Sequence, residues 1–228
     1  MTDHKYTIIV AGGQGTRMQQ EVPKQFLNLL GKPILMHTIE AFYNYGPDIP
    51  IILVLPETQF TYWADLCKQH DFTLPVIIRK GGKTRFQSVK NGLDAISGEG
   101  LVAVHDGVRP LVPIELIAAS FHLAAIHGSA IASVRLKESI RILNKDSSMA
   151  MDRSKFRLIQ TPQTFNISVL KKAYEIDEEE MLTDDASVAE KAGYKISLFE
   201  GSYANIKITT QEDLWMAEQI LNLQFTQK

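Results

Sequence analysis

Two cations, Arg17 and Lys24, lie on one glycine-rich stretch, Val10-Ala11-Gly12-Gly13-Gln14-Gly15-Thr16-Arg17-Met18, which runs on into Val22-Pro23-Lys24-Gln25-Phe26. Gly12, Gly13 and Gly15 leave main-chain N–H groups unobstructed, so a turn built from them can close around phosphate oxygens. Amides and fixed cations on one loop suit a polyanion such as a nucleoside triphosphate. The pattern is not a P-loop, because no Gly-Lys-Ser/Thr occurs at this turn. It is not the dinucleotide fingerprint either, since Met18 stands where a third glycine would allow close helix–strand contact. The plainer alternative for the loop alone is a strand-to-helix turn without a ligand.

Further along, Asp106 follows the apolar run Leu101–Val104 in His105-Asp106-Gly107-Val108-Arg109-Pro110. A carboxylate at the carboxyl end of a strand, beside a triphosphate, suits Mg²⁺; a turn or helix-capping aspartate is the alternative. Gly81-Gly82-Lys83-Thr84-Arg85 is a second glycine turn, whose backbone could read a base edge or merely precede a helix. Lys207 alternates with Ile206 and Ile208, which places it across a strand from them; taken alone, it reads as a snorkelling surface lysine. Thr183-Asp184-Asp185-Ala186-Ser187 reads first as a helix start capped by Thr183 or Asp184.

These residues need a frame, and the chain supplies alternating patterns. Tyr6–Val10, Ile51–Leu55, Val76–Ile78, Leu101–Val104 and Ala130–Val134 are short apolar runs, as in strands covered on both faces. Helical patterns lie between them at Ile34–Tyr43, Thr58–Gln69, Arg85–Ala95 and Pro113–His127, with Pro33 and Pro113 suited to first-turn positions. The expectation is an α/β, Rossmann-like three-layer sandwich around a mainly parallel sheet, with ligands at the carboxyl ends of its strands. The alternation breaks at about 137–155, where strand-like Ser139–Leu143 and a turn at Asn144–Ser148 predict a projecting hairpin; dimerisation is one way to cover its edges, and an ordinary surface hairpin without function is the alternative. A helix from about Ser168, a strand at Lys195–Glu200 and a helix at Gln211–Leu223 complete one expected domain over 1–228. Asp177-Glu178-Glu179-Glu180 reads as a solvated helix end.

Composition narrows the function. The chain has 228 residues and a formal net charge of −2, so it has no basic excess for a nucleic-acid backbone. The single cysteine, Cys67, excludes an intramolecular disulfide and a cysteine metal cluster, and reads as a packed helix residue. The N-terminus carries no apolar signal segment, and no apolar run is long enough to cross a bilayer. A soluble, cytoplasmic protein is expected.

Seven segments, in order, resemble one family along nearly the whole chain: Ala11-Gly12-Gly13-x-Gly15-x-Arg17-Met18, Pro23-Lys24-Gln25, Gly81-Gly82-x-x-Arg85-x-x-Ser88-Val89, His105-Asp106-x-x-Arg109-Pro110, Gln160-Thr161-Pro162-Gln163, Thr183-Asp184-Asp185-Ala186-Ser187 and Asn205-Ile206-Lys207-Ile208-Thr209. The family is that of the 2-C-methyl-D-erythritol 4-phosphate cytidylyltransferases, with the ribitol-5-phosphate cytidylyltransferases as close relatives. The resemblance implies a Mg²⁺-dependent nucleotidyltransferase that joins CTP to a polyol phosphate. It implies that Arg17, Lys24 and Lys207 hold the reacting phosphates and that Asp106 binds Mg²⁺. Ala11, Gly12, Gly13, Gly15, Gly82, Lys83 and Ser88 would surround the nucleotide, while Arg109, Ser139, Arg153 and Thr183 would surround the acceptor. It also implies a homodimer in which the arm, flanked by Ser139 and Arg153, reaches the neighbour's site.

Two residues depart from the family pattern: Ser139 where threonine is usual, and Lys83 where an acidic residue is common. Asp152-Arg153 ahead of Gln160-Thr161-Pro162-Gln163 resembles the methylerythritol branch; CDP-ribitol synthesis is the alternative. A nucleotide-sugar glycosyltransferase would normally show Asp-x-Asp, which Asp106-Gly107-Val108 does not provide. A non-catalytic nucleotide-binding module would not need Arg17, Lys24, Asp106 and Lys207 together.

Overall fold

The computed structural model describes residues 4–12 and 22–226. Gly13, Gly15 and Arg17 lie outside the described residues. In chain order the strands are β1 (Lys5–Val10), β2 (Asn28–Leu29), β3 (Lys32–Pro33), β4 (Ile51–Leu55), β5 (Ile77–Lys80), β6 (Leu101–Asp106), β7 (Ser129–Arg135), β8 (Ile140–Asn144), β9 (Ser147–Met151), β10 (Arg157–Asn166) and β11 (Leu198–Glu200). The helices are α1 (Ile34–Tyr45), α2 (Phe60–Gln69), α3 (Arg85–Leu93), α4 (Ile114–His127), α5 (Ile167–Ala173), α6 (Asp185–Lys191) and α7 (Gln211–Thr226).

A seven-stranded sheet with the order β11-β7-β10-β6-β1-β4-β5 forms the middle layer. It is mostly parallel; β10 runs antiparallel to both β6 and β7. Strand alternation sends successive side chains to opposite faces, and each face carries its own apolar layer. Ile8, Ile52, Val54, Val102 and Val104 pack with α3, α5 and α6. Ile9, Leu53, Leu55 and Ala103 pack with α1, α2 and α4. The expected three-layer sandwich is the observed fold.

Parallel strands leave their carboxyl ends at one edge of the sheet. The Val10–Ala11, Leu55–Pro56, Lys80–Gly81 and Asp106–Gly107 junctions therefore share that edge. Gly107 is required where it stands, because a Cβ there would come within 2.8 Å of the Ala11 Cβ.

Several local expectations need correction. Pro33 and Pro113 stand at N-cap positions with extended ψ (139° and 145°), one residue before the first helical turn. The third apolar run begins its strand at Ile77 and forms a sheet edge, so Ile77 is 40% exposed and Arg79 and Lys80 face water. The long strand β10 has no counterpart in the sequence reading; its Pro162 cannot donate to a ladder, and the register shifts between Ile159 and Gln163. Asp177–Glu180 is a loop after α5 rather than a helix end; Glu178 accepts from Gln87 Nε2 at 2.9 Å and Glu179 pairs with Lys191 at 3.0 Å.

Lys207 is the largest revision. Residues 205–209 form no strand, and the lysine is held from behind. Ile208 is fully buried in a third apolar cluster with Leu29, Ile34, Val108 and Leu214, and its N–H donates to Val108 O at 2.9 Å. The following α7 is anchored by Asp213, whose Oδ2 accepts from Thr209 N at 2.8 Å and Thr210 N at 2.9 Å. Hairpin β8–β9 pairs only with itself, closed by Lys145-Asp146, with Leu143 80% exposed.

Truncating Ile208 to Ala should open a cavity behind Lys207 and cost ~2–5 kcal/mol. Urea unfolding measures it; an unchanged midpoint would show that the cluster does not anchor this segment.

Candidate active site

Two adjoining cavities open at the carboxyl edge of the sheet. The first, of about 600 Å³, is lined by Ala11, Gly12, Lys24, Gly82, Lys83 and Ser88, among others. The second, of about 680 Å³, is lined by Arg109, Lys155, Arg157, Thr161 and Thr183 among others. Arg85, Asp106 and Lys207 line both. A carboxylate and two cations therefore form the wall the cavities share.

Asp106 ends β6 and gathers cations from three different elements. Its Oδ2 lies 3.0 Å from Lys207 Nζ and 3.2 Å from Arg109 Nε, and its Oδ1 lies 3.7 Å from Arg85 Nε. Burial alone would raise this carboxyl's pKa, but Lys207, Arg85 and Arg109 outweigh it and hold the group well below the usual carboxylate range. The three cations thus favour the ionised form of Asp106. Arg85 is held from its far side as well. Its Nη2 meets the fully buried Asp185 at 2.6 Å, and Asp185 Oδ1 accepts from Tyr174 OH at 2.7 Å. Burial opposes the Arg85 charge, and Asp185 with Asp106 restores it. Arg109 also donates to Asn205 O at 2.9 Å, tying this turn to the segment that carries Lys207.

The backbone of Asp106 is fixed by a relay. Asp106 N–H donates to Thr161 Oγ1 at 3.1 Å, and Thr161 Oγ1 lies 2.9 Å from His105 Nδ1. Arg109 O, 3.2 Å from Nε2, can only accept, so Nε2 carries the ring proton and, in the neutral ring, Nδ1 accepts the Thr161 hydroxyl proton. Full burial pushes the imidazole pKa down to about 3, so His105 is a neutral strut.

The second glycine turn is already satisfied internally. Gly82 N donates to Ser88 Oγ at 3.1 Å, Lys83 N donates to Gln87 Oε1 at 3.0 Å, and the Ser88 hydroxyl donates to Thr84 O at 2.8 Å. A Cβ on Gly82 would lie 2.2 Å from Gln87 Cβ, so only glycine fits this turn. Thr84 caps α3, its side chain accepting from Gln87 N at 3.2 Å. Of the two expected caps of α6, Asp184 is the one used, in a capping box with Ser187.

The structure brings Ala11, Gly12, Lys24, Gly82, Lys83, Ser88, Asp106 and Lys207 to the first cavity, and Arg109 and Thr183 to the second. It does not bring Ser139 or Arg153 to either. Both are exposed, and Arg153 Nη1 donates to Lys137 O. Residues given no role from sequence also belong to the site. Arg85 was visible in its motif, but its partners Asp185 and Tyr174 are recognisable only once the chain has folded. Lys155 and Arg157 add cations to the second cavity, Arg157 being paired with Glu200 at 3.0 Å.

Among the described residues there is no group of three or more His, Cys, Asp or Glu that could hold a metal. One carboxylate at a cavity wall suits an ion such as Mg²⁺, which commonly takes one or two carboxylates and completes its shell with substrate phosphates. Among the described residues, no helix is long and apolar enough to cross a membrane.

The His105 strut has a pH signature. Its folded-state pKa, about 3, lies below the unfolded ~6.5. Below pH ~6.5 the unfolded chain binds a proton that the folded chain does not, so this residue's contribution to stability falls as pH drops, by up to ~1.4 kcal/mol per pH unit, until about pH 3. Nitrogen-15 NMR should show the His105 ring neutral and protonated at Nε2 at pH 5. Titration near pH 6.5 would contradict the relay.

The family model IspD, 2-C-methyl-D-erythritol 4-phosphate cytidylyltransferase, matches residues 6–223. A 2-C-methyl-D-erythritol 4-phosphate cytidylyltransferase of Phocaeicola vulgatus is 48% identical over 218 residues, covering 96% of this chain and 100% of the relative. One from Azobacteroides pseudotrichonymphae is 49% identical over 221 residues, covering 96% and 99%. Among solved structures, the 4-diphosphocytidyl-2C-methyl-D-erythritol synthase of Anaerococcus prevotii superposes with a TM-score of 0.83 at 28% identity, covering 96% of each chain. The Francisella tularensis 2-C-methyl-D-erythritol 4-phosphate cytidylyltransferase does so with 0.79 at 31%, covering 95% of this chain and 99% of the other. A family match of this extent, with relatives this similar over this much of their length, places the sequence: the chain belongs to the 2-C-methyl-D-erythritol 4-phosphate cytidylyltransferase family.

Proposed function

We propose that this chain transfers a cytidylyl group from CTP to 2-C-methyl-D-erythritol 4-phosphate, giving 4-diphosphocytidyl-2-C-methyl-D-erythritol and pyrophosphate. The observation that carries this reading is the wall of Arg85, Asp106 and Lys207 common to two cavities. Two polyanions bound on either side of it meet there with cations between them. The first cavity takes CTP, its phosphates at Lys24 and its base at Ala11, Gly12, Gly82, Lys83 and Ser88; Gly13, Gly15 and Arg17, outside the described residues, are assigned to the same nucleotide by the family resemblance. A base docking at the second glycine turn exchanges the Ser88 and Gln87 contacts for its own. The second cavity takes the acceptor through Arg109 and Thr183.

The reaction needs little acid–base chemistry. A phosphomonoester has its second pKa near ~6 and is largely dianionic at neutral pH. An acceptor phosphate oxygen attacks the α-phosphorus in line, the bond from that phosphorus to the bridging oxygen breaks, and pyrophosphate leaves with the electron pair. No proton has to be removed, and the buried, neutral His105 is not available as a base. The barrier is the approach of two anions and the charge gathering on the phosphoryl oxygens. Fixed cations answer both through positioning and electrostatic stabilisation. Asp106 would hold Mg²⁺ together with phosphate oxygens, and the ion, when bound, supplies further charge neutralisation. Asp106 also keeps Lys207 and Arg109 from moving apart.

The arm completes this reading. Ser139 and Arg153 line neither cavity of their own chain, so we assign them to the acceptor pocket of a second copy in a homodimer. Single inversion at a chiral α-thio centre is the stereochemical expectation.

Pyrophosphate release from CTP and Mg²⁺ should proceed with methylerythritol phosphate and fall by at least about 100-fold with ribitol 5-phosphate; the reverse preference would reassign the acceptor. Lys24→Ala should lose at least about 100-fold in turnover while keeping its melting temperature. In mixed dimers, an Arg153→Ala subunit and a Lys24→Ala subunit should restore part of the activity. Confirmed heterodimers without restoration would mean that each site is built within one chain.

A further inference from the structure

In the wall of the first cavity, two glutamines form a pair that the roles assigned so far do not use. Gln25 is 1% exposed and sits between Lys24 and Phe26 in a single 3₁₀ turn. Its Nε2 donates one proton to Ala11 O at 2.8 Å and the other to Gln59 Oε1 at 2.8 Å. Both acceptors fix which way the amide faces, since a flipped amide would set oxygen against oxygen at Ala11. Among the described residues, the buried Gln25 Oε1 has no hydrogen-bond partner in that orientation, so the amide is held by its donor side alone. Gln59 comes from the loop after β4, where its N–H donates to Pro56 O at 2.9 Å, and leads directly into α2. The first turn of α2 then grips the same 3₁₀ turn from below, with Phe26 edge-on to Tyr62 (5.2 Å) and stacked on Trp63 (6.3 Å).

The pair thus ties together three segments of one cavity wall: the Ala11–Gly12 backbone, the turn carrying Lys24, and the entry to α2. We propose that Gln25 and Gln59 are positioning residues that hold Lys24 in register with the base-reading backbone at Ala11. This inference rests on the cytidylyl-transfer reading, in which Lys24 meets the phosphates and Ala11 meets the base of the same nucleotide. The distance between a nucleotide's base and its phosphates is set by the ribose. A cavity wall assembled from separate loops must match that span, and a displacement of about 1 Å between reacting groups can cost up to about 100-fold.

Gln59 is the position to test, because it is half-buried and, although it lines the first cavity, its amide oxygen is committed to Gln25 Nε2. Gln59→Ala should lower kcat/KM for CTP about 10-fold, leave KM for the acceptor within about twofold, and keep the melting temperature within about 2 °C. Gln59→Glu still accepts from Gln25 Nε2 and should recover most of the loss. In a Lys24→Ala background, Gln59→Ala should change kcat/KM by less than about twofold, because the group it positions is gone. An equal loss in both backgrounds, or no loss in either, would overturn the proposal. The wild-type turnover tests cytidylyl transfer separately. If the wild type does not turn over, the same cycle is read in CTP affinity by calorimetry, where the same non-additivity is required.

Discussion

Asp106 cannot be buried as an ion without partners, and the site is organised around meeting that need. An unpaired carboxylate at this depth would protonate or pull in water. Instead it draws Arg85 from the start of α3, Arg109 from its own turn, and Lys207 from a segment about a hundred residues further along. Left to themselves, these three cations would repel one another. The carboxylate keeps them at one wall, so in the proposed transfer the positive charge would be in place before the ligands arrive. Asp185 and Tyr174 extend the arrangement by fixing the far side of Arg85.

Each cation depends on packing behind it. Ile208 and α7 hold the Lys207 segment, the cap of Thr84 holds the start of α3, and the His105–Thr161 relay holds the Asp106 main chain. Thr161 lies on β10, the one strand of the large sheet that runs against the rest. Its antiparallel course lets the β6 end and the β10 bulge face each other at the same edge, where the hydroxyl can reach both Asp106 and His105. The sheet therefore supplies the position of the carboxylate, and side-chain polar contacts supply its orientation.

Much of this was legible from sequence where the signal is local. The apolar runs of β1, β4, β6 and β7 are strongly patterned, and their strands lie where the runs are. The glycine turns, Asp106 and Lys24 could be located because motif spacing ties them to strand ends. What could not be read depends on pairing through space. Lys207 flanked by isoleucines looks, by itself, like a surface lysine; the family resemblance assigns it to the phosphates, but its pairing with Asp106 at 3.0 Å has no sequence signal. Tyr174 and Asp185 carry no signal of their shared role, and a glutamine pair such as Gln25 and Gln59 is unremarkable until Ala11 O lies between loops that are distant in sequence. Strand β10 carries no clear strand signal around Thr161-Pro162, where a proline interrupts the ladder and the register shifts between Ile159 and Gln163.

The shared wall is tested most directly by single-turnover quench-flow on Lys207→Gln with CTP, Mg²⁺ and methylerythritol phosphate. Lys207 touches both cavities and is 42% exposed, so its loss should spare the fold. If the wall acts where the two anions react, the chemical step slows by at least about 100-fold while CTP affinity falls by less than about tenfold. A chemical step at the wild-type rate, with only binding weakened, would mean that the reacting phosphates meet elsewhere.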